Sequence, residues 1–555
     1  MSHSRQNTPS IMSLPSQTKF IVGNEACERF SFYGMRSILV LYMTGMLAMS
    51  ESAAVEVAHL FLAGIYILPL LGAWIADRFL GRYRTILYIS LFYCLGHGVL
   101  ATADLTESIE MRRYILFLGL FIIALGAGGI KPCVSAFVGD QVDARKEPAV
   151  MTRVYAAFYW SINLGSFFSF LVIPWVRQTW GYSWAFGIPG IFMGLATLIF
   201  WLGRKQYKHI PPTQPTFLPA LLCRIFRGAP TACERFGGAA VNAATNTALG
   251  IAGFIVIAPI VILLGYWAKN GGEQLVSLSG GSSTAASLCG LAALLLYVAA
   301  ILAAVLKLAE TFNARGFMGV LGTRLYRGSE LTAARYSEKD RRATRNLLRV
   351  LAVFAMIIPF WSLFDQTMSS WVIQGKEMTP VYFSAINFRF GAEEIQSFNT
   401  LLVKIFVPLI TLCVYPYIGK WSTPLKRMGI GIVLAGISYG SVAWLQARLD
   451  SGETLSILWQ CIPYFLITIS EILVSTTGLE YAYTAAGKSL KSIVSSFWFL
   501  TSTLGNFLVI YMTGLVSDPA ATSTFLIYGA LSVIIGILFI IVTTRPGFKA
   551  EPEEE

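Results

Sequence analysis

A polytopic, all-α membrane protein is the fold class this sequence predicts, on three observations. Of 555 residues, 55% are hydrophobic and 13% charged, whereas soluble domains carry about a quarter charged residues. The apolar residues fall into fourteen runs, each long enough, at about 20 residues, to cross a bilayer as a helix. The basic residues gather in alternate connections between those runs, as the positive-inside rule requires. That alternation ascribes the net charge of +12 to membrane orientation, and no nucleic-acid partner is expected.

The first six runs cover 20–48, 55–77, 83–103, 113–138, 152–173 and 184–203, preceded by a polar, Ser-rich tail at 1–19. A Pro-rich basic connection follows at 204–240. Two runs at about 247–268 and 284–308 consist of Ala, Leu, Ile, Val and Gly with almost nothing polar. A second basic linker, 309–345, leads to six more at 346–372, 395–417, 427–446, 455–484, 490–514 and 522–543, and a short acidic tail closes at 544–555.

The division is therefore six, two, six: a bundle at 20–203, an insert at 204–345 and a second bundle at 346–543. Placing both termini in the cytoplasm assigns roughly thirty Lys and Arg to inner segments and about seven to outer ones. The eight cysteines show neither paired loop positions nor metal-ligand spacing and read as packing residues, so no metal or disulfide framework is expected. No nucleophile–base set stands out, which argues against an enzyme.

The first run carries charges that a lipid-facing helix would not. At about 100° per residue, Glu25, Glu28, Arg29, Tyr33 and Arg36 fall within an arc of roughly 140°. Intramembrane charge is costly, so this stripe is expected to face a water-filled path or bonded partners, with Phe30, Ile38 and Val40 toward lipid or neighbouring helices. A surface amphipathic helix is the alternative; the apolar run Ile38–Met49 makes the segment long enough to span. The first bundle supplies the cations Arg29, Arg36 and Lys131, and the second the carboxylates Asp365 and Glu471. Opposite charges on opposing walls suit a zwitterion.

Several stretches resemble a known family. Gly72-Ala-Trp-Ile-Ala-Asp77-Arg78-Phe-Leu-Gly81-Arg82 looks like the loop signature of the major facilitator superfamily, with a weaker echo at 419–427. Asn24-Glu25-Ala-Cys-Glu28-Arg29-Phe-Ser-Phe-Tyr33-Gly-Met-Arg36 resembles the ExxERFxYYG motif of proton-dependent oligopeptide transporters. Further matches follow in order at Gly128–Gln141, Phe158–Ser166, Phe360–Gln366, Glu471, Thr477–Tyr481, Trp498 and Asn506.

The resemblance implies a major facilitator fold, two six-helix bundles plus two inserted helices, importing di- and tripeptides with protons and no other cofactor. It implies Arg36 and Lys131 for the peptide carboxylate, Glu471 for the amino end, and Asn163 and Asn399 for backbone amides. Tyr33, Tyr66, Trp361 and Trp498 would line side-chain pockets. Glu25, Glu28, Arg29 and Asp365 would couple protons, through exchange of ion pairs such as Lys131 with Glu471. His59, at the start of the second run, is either a further proton-sensing group or an interfacial histidine satisfied by water. Asp77, Arg78 and Arg82 read as gating latches at the inner ends of helices rather than substrate contacts, and Glu480 as either a gating residue or a solvated one. Lys404 either lines the cavity or snorkels.

A monomer in the plasma membrane is expected, its partners the lipid bilayer and the peptides. Phe32, Phe364, Thr400 and Thr476 depart from the bacterial pattern. A nitrate-like or modified-peptide substrate, or a low-flux receptor, is the alternative. Gly487-Lys488-Ser489 resembles the end of a phosphate loop but lacks its first glycine and a preceding strand. The second Ala-Cys-Glu-Arg-Phe, at Ala232–Phe236, has no apolar context and reads as coincidence.

Overall fold

The computed structural model describes residues 14–69, 72, 75–142, 148–211, 338–386, 388–414, 417, 423–478, 481, 491–516 and 518–544. The proposed inserted pair, Glu480, the 487–489 string and the 232–236 repeat lie outside them. In chain order the described helices are α1 (Thr18–Gly45), α2 (Glu51–Ile67), α3 (Gly81–Ala101), α4 (Ile109–Asp140), α5 (Pro148–Trp180) and α6 (Tyr182–Leu202). Then come α7 (Glu338–Asp365), the short α8 (Ser370–Glu377), α9 (Gln396–Leu409), α10 (Pro424–Asp450), α11 (Cys461–Glu471), α12 (Lys491–Leu515) and α13 (Thr522–Thr543).

Local chemistry explains the boundaries. Ser50 caps α2 by accepting from the Ala53 amide, and Ser108 caps α4 by accepting from the Met111 amide; each satisfies an N-terminal amide that the helix leaves unpaired. Gly181 turns the chain between α5 and α6 at φ +84°, a backbone that other residues rarely adopt. Pro132, Pro174, Pro189, Pro359 and Pro408 lie inside helices, where packing in membrane bundles tolerates them.

Helices occupy the positions of all twelve predicted runs outside the insert, with three refinements. The run at 55–77 gives α2 and then a π-helical turn at Ala76–Leu80, the run at 395–417 gives α9 and then one at Ile410–Val414, and the run at 455–484 gives α11 and then one at Ile472–Thr476. Such turns often mark functional positions. Among the described residues, eight helical segments are long and apolar enough to cross a membrane. A hairpin of Val381–Phe383 (β1) with Phe388–Phe390 (β2), registered Tyr382 to Arg389, was not anticipated.

By packing, the chain forms two units, one of Met1–Gln214, Ile357–Thr477 and Leu500–Ile540, the other of Pro215–Met356, Gly478–Phe499 and Ile541–Glu555. In the first, α1 packs on α5 and α6, α3 on α4 and α6, and α10 on α11. Phe30 stacks on Phe192 of α6 with centroids 4.0 Å apart, so this side of α1 meets a neighbouring helix. A buried amide network ties α8 in place: Gln374 donates to Val442 O and Gln446 Oε1, each at 3.0 Å, and Gln460 donates to Trp371 O at 3.0 Å and Gln374 Oε1 at 3.2 Å. In the second unit, Trp498 packs edge-on against Phe354 with centroids 5.4 Å apart.

Candidate functional site: a buried charge seam

The stripe on α1 is buried with its charges paired. Glu25 is 4% exposed, Glu28 1% and Arg29 7%. Arg29 Nε lies 2.9 Å from Glu25 Oε1 and 2.5 Å from Glu28 Oε2. These are ion contacts rather than aligned hydrogen bonds, since Arg29 Nε and both Glu28 carboxylate oxygens have no correctly directed partner among the described residues. Two carboxylates against one guanidinium leave excess negative charge in a dry place, an arrangement that favours a proton or a second cation nearby.

Lys131 of α4 is that neighbouring cation, held by aromatic faces. Its Nζ is 4.8 Å from the Phe32 ring centroid and 4.4 Å from that of Tyr66, while Arg29 lies 5.8 Å from Phe32 on α1. Ring faces attract a desolvated cation without supplying a competing anion. The expected bridge from Lys131 to Glu471 is absent among the described residues. Glu471 Oε2 instead accepts from Asn399 Nδ2 at 3.1 Å, and Asn399 also donates to Thr468 Oγ1 at 2.9 Å. Amide and hydroxyl groups satisfy this carboxylate locally, so it needs no lysine.

The connection between sequence-distant helices is made by Arg36. Its Nη2 lies 3.5 Å from Asp365 Oδ1 and donates to the Asp365 carbonyl at 3.4 Å. Asp365 Oδ2 accepts from Asn506 Nδ2 at 2.8 Å and from Ser502 Oγ at 3.4 Å. Asn506 Oδ1 then meets His59 Nδ1 at 2.6 Å, and His59 Nε2 meets Ser369 Oγ at 2.9 Å. His59 is 1% exposed and sits in the middle of α2, which corrects its placement at the beginning of the span and removes the water-satisfied interfacial reading: protein groups bind both ring nitrogens.

The other predicted residues sort as follows. Tyr33 packs on Phe170 of α5 at 5.7 Å. Asn163 donates to the Tyr159 carbonyl in its own helix at 3.0 Å. Trp361 packs edge-on against both Phe360 and Phe364. Trp498 belongs to the second unit. Asp77 and Arg78 lie in the first π-helical turn, with side chains outside the described set. Arg82 grips both oxygens of Asp140 at 2.6 and 2.5 Å, joining α3 to the end of α4. Lys404 makes a contact its own helix could not reveal: its Nζ stands 4.8 Å over the Phe167 ring of α5.

One charged cluster escaped the sequence reading. Arg177, in the last turn of α5, donates from Nε and Nη2 to Glu393 Oε2 at 3.0 and 2.6 Å, and Gln178 donates to Glu394 Oε1 at 2.8 Å. The two glutamates sit in the connection before α9 and line a cavity of about 260 Å³ with Tyr182, Lys376 and Arg389. Burial pushes the Glu393 carboxyl up to about 7, against the opposing pull of Arg177. An adjacent acidic pair abutting an apolar run, and a lone arginine ending another, were the available signals.

A many-helix membrane protein with a buried seam of paired charges defines the class. The family model described as the POT family matches residues 83–252 and 323–531, and the chain belongs to that family. It is 30% identical over 445 residues to Peptide transporter family 1 of Drosophila melanogaster, an alignment covering 79% of this chain and 48% of that one; the chain thus spans about half the length of the relatives it matches. The crystal structure of an auto-inhibited POT family peptide transporter is similar at 36% identity and TM-score 0.72, covering 96% of this chain and 97% of that one. The in meso crystal structure of the POT family transporter PepTSo gives 34% identity and TM-score 0.72, with 96% and 98% covered.

Proposed function

We propose that this protein is a proton-coupled symporter that imports di- and tripeptides by alternating access of two six-helix bundles, at 20–203 and 346–543, with both termini cytoplasmic in the plasma membrane. The observation that carries the reading is the buried Arg36–Asp365 pair, continued through Asn506 to His59. A peptide carboxylate that takes Arg36 leaves Asp365 without its cation, and a buried uncompensated carboxylate recruits a proton. Substrate binding and protonation are then linked through one guanidinium. Relatives named peptide transporters support the substrate class.

In this reading Tyr33, Arg36, Tyr66, Lys131, Asn163, Trp361, Asn399 and Glu471 bind peptide. Lys131, which rests on ring faces among the described residues, takes the carboxylate, and Glu471 accepts the ammonium in place of Asn399. Glu25, Glu28, Arg29, Asp365 and His59 form the coupling set. Arg82 with Asp140, and Asp77 and Arg78, act as latches at helix ends. The coupling ion is the proton, with no cofactor, and the protein works as a monomer.

The test is uptake of radiolabelled dialanine into proteoliposomes under an imposed inward proton gradient. Accumulation above equilibrium, abolished by a protonophore, is expected; its absence from well-folded protein would sink the proposal. Glu471→Gln should reduce uptake of free-amino dipeptides more than competition by N-blocked ones. Equal losses would remove Glu471 from the amino-end role.

A further inference from the structure

One buried histidine takes no part in the seam just described. His97, in the middle of α3, is fully buried, and its Nε2 meets Ser31 Oγ of α1 at 2.9 Å. Its ring stacks on Tyr93, one turn earlier on the same helix, at 5.2 Å and 19°. Behind it, α6 approaches so closely that a Cβ on Gly190 would lie 2.9 Å from His97 Cβ. The ring is thus clamped between three helices and has one directed polar bond.

Ser31 lies inside the charged motif, between Arg29 and Tyr33. At about 100° per residue it is roughly 60° from Glu28 and 120° from Glu25, so the His97 contact borders the Glu28 flank of the stripe. Tyr93 lies one turn before His97 on α3, as Glu28 lies about one turn before Ser31 on α1, and of the charged side chains Glu28 and Arg29 act most strongly on the Tyr93 hydroxyl. Tyr93 Oη, His97 Nδ1 and Glu28 Oε1 are buried without a hydrogen-bond partner among the described residues, and Glu28 Oε2 keeps only its ion contact with Arg29 there. Buried polar groups are paired in the great majority of cases, so orphans gathered along one helix interface point to partners taken in another state of the cycle.

We infer that the His97–Tyr93 pair on α3 positions Glu28: His97 anchors α1 through Ser31, and the Tyr93 hydroxyl receives the Glu28 carboxyl when Arg29 is drawn away. This deepens the proposed symport and rests on it. No covalent change is involved. The groups facing the pair are Ser31, Glu28, Arg29 and Glu25 from α1 and Cys94 on α3 itself; α6 carries no ionisable residue other than Tyr182 at its start. From α4, the residues against this part of α3 are apolar or glycine, with Ile123 and Gly119 at Gly96. His97 is a positioning residue, because it touches neither the carboxyl nor the substrate.

The experiment compares gradient-driven uptake of dialanine with gradient-free dialanine counterflow in proteoliposomes, across pH, for His97→Leu, His97→Gln and Tyr93→Phe. Coupling between sites typically amounts to about 5- to 150-fold, so His97→Leu and Tyr93→Phe should each cut driven uptake at least about fivefold and displace its pH profile. Counterflow should stay within about twofold. His97→Gln, whose amide can still reach Ser31, should restore most of the driven uptake.

Driven uptake and pH profile unchanged in both His97→Leu and Tyr93→Phe would overturn the inference. So would equal loss of driven uptake and counterflow with an unmoved profile, the mark of a purely structural role. If His97→Leu fails to fold, Tyr93→Phe, which keeps the ring, decides alone. Wild-type protein that accumulates nothing refutes the symport reading instead, so the two failures are distinguishable.

Discussion

Asp365 accepts from three different side chains, and that concentration makes it the most sensitive single position. Arg36 neutralises it, while Asn506 and Ser502 complete its hydrogen bonds. Asp365→Asn keeps the shape and removes both the charge and the proton-accepting group. Driven uptake should fall by about tenfold or more, within the usual range of coupling energies, while counterflow persists. Uptake and counterflow lost together would instead place Asp365 in folding or substrate binding. His59 belongs to the same chain of bonds. With Asn506 on one nitrogen and Ser369 on the other, it holds α2 against α12 and the turn after α7. The sequence marked His59 as interesting because of its residue type, but its partners lie 447 and 310 positions away, beyond anything periodicity reports.

Helix contacts set what those residues can reach. Where α1 crosses α5, a Cβ on Gly165 would sit 2.2 Å from the Ala26 carbonyl oxygen and 3.0 Å from the Phe30 amide. The clash is with backbone, so no rotamer change relieves it. Gly165→Val should therefore cost about 3 kcal/mol or more through overpacking, read as a lower Tm, and should disturb the coupling stripe on the same helix. A wild-type Tm would show that the helices separate easily here. The Arg177–Glu393 ion pair at the end of α5 yields a different prediction. Glu393 titrates at about 7 where Arg177 holds it buried, against an ordinary 4.5. Between those values the buried arrangement binds more protons than one with Glu393 hydrated, so raising pH through this window favours opening. Spin-label distances between the end of α5 and the β1–β2 hairpin should broaden as pH rises from about 4.5 to 7, and Glu393→Gln should remove that dependence. Distances indifferent to pH in the wild type would dissociate Glu393 from any opening.

For the molecule as a whole, the helical layout was legible and the pairing was not. Twelve of the predicted runs coincide with helices because a span needs about 20 consecutive apolar residues, a requirement written locally. The π-helical turns at Ala76–Leu80, Ile410–Val414 and Ile472–Thr476 and the β1–β2 hairpin left no such trace, being short departures in otherwise suitable stretches. The candidate charges were equally visible, since each interrupts apolar sequence. Their partners were assigned less well: Lys131 rests on Phe32 and Tyr66 rather than on Glu471, and Lys404 rests on Phe167.

Composition, apolar run length and the ordered motifs from Glu25–Arg36 to Asn506 determined that this is a helical membrane protein of the POT family. Tertiary packing alone decided that Arg36 meets Asp365, 329 positions along, that Arg177 meets Glu393, 216 positions along, and that His97 leans on Ser31. The physical reason is range. A helix and its apolar face are fixed by interactions within a few residues, whereas which buried charge faces which depends on how whole helices rotate and cross.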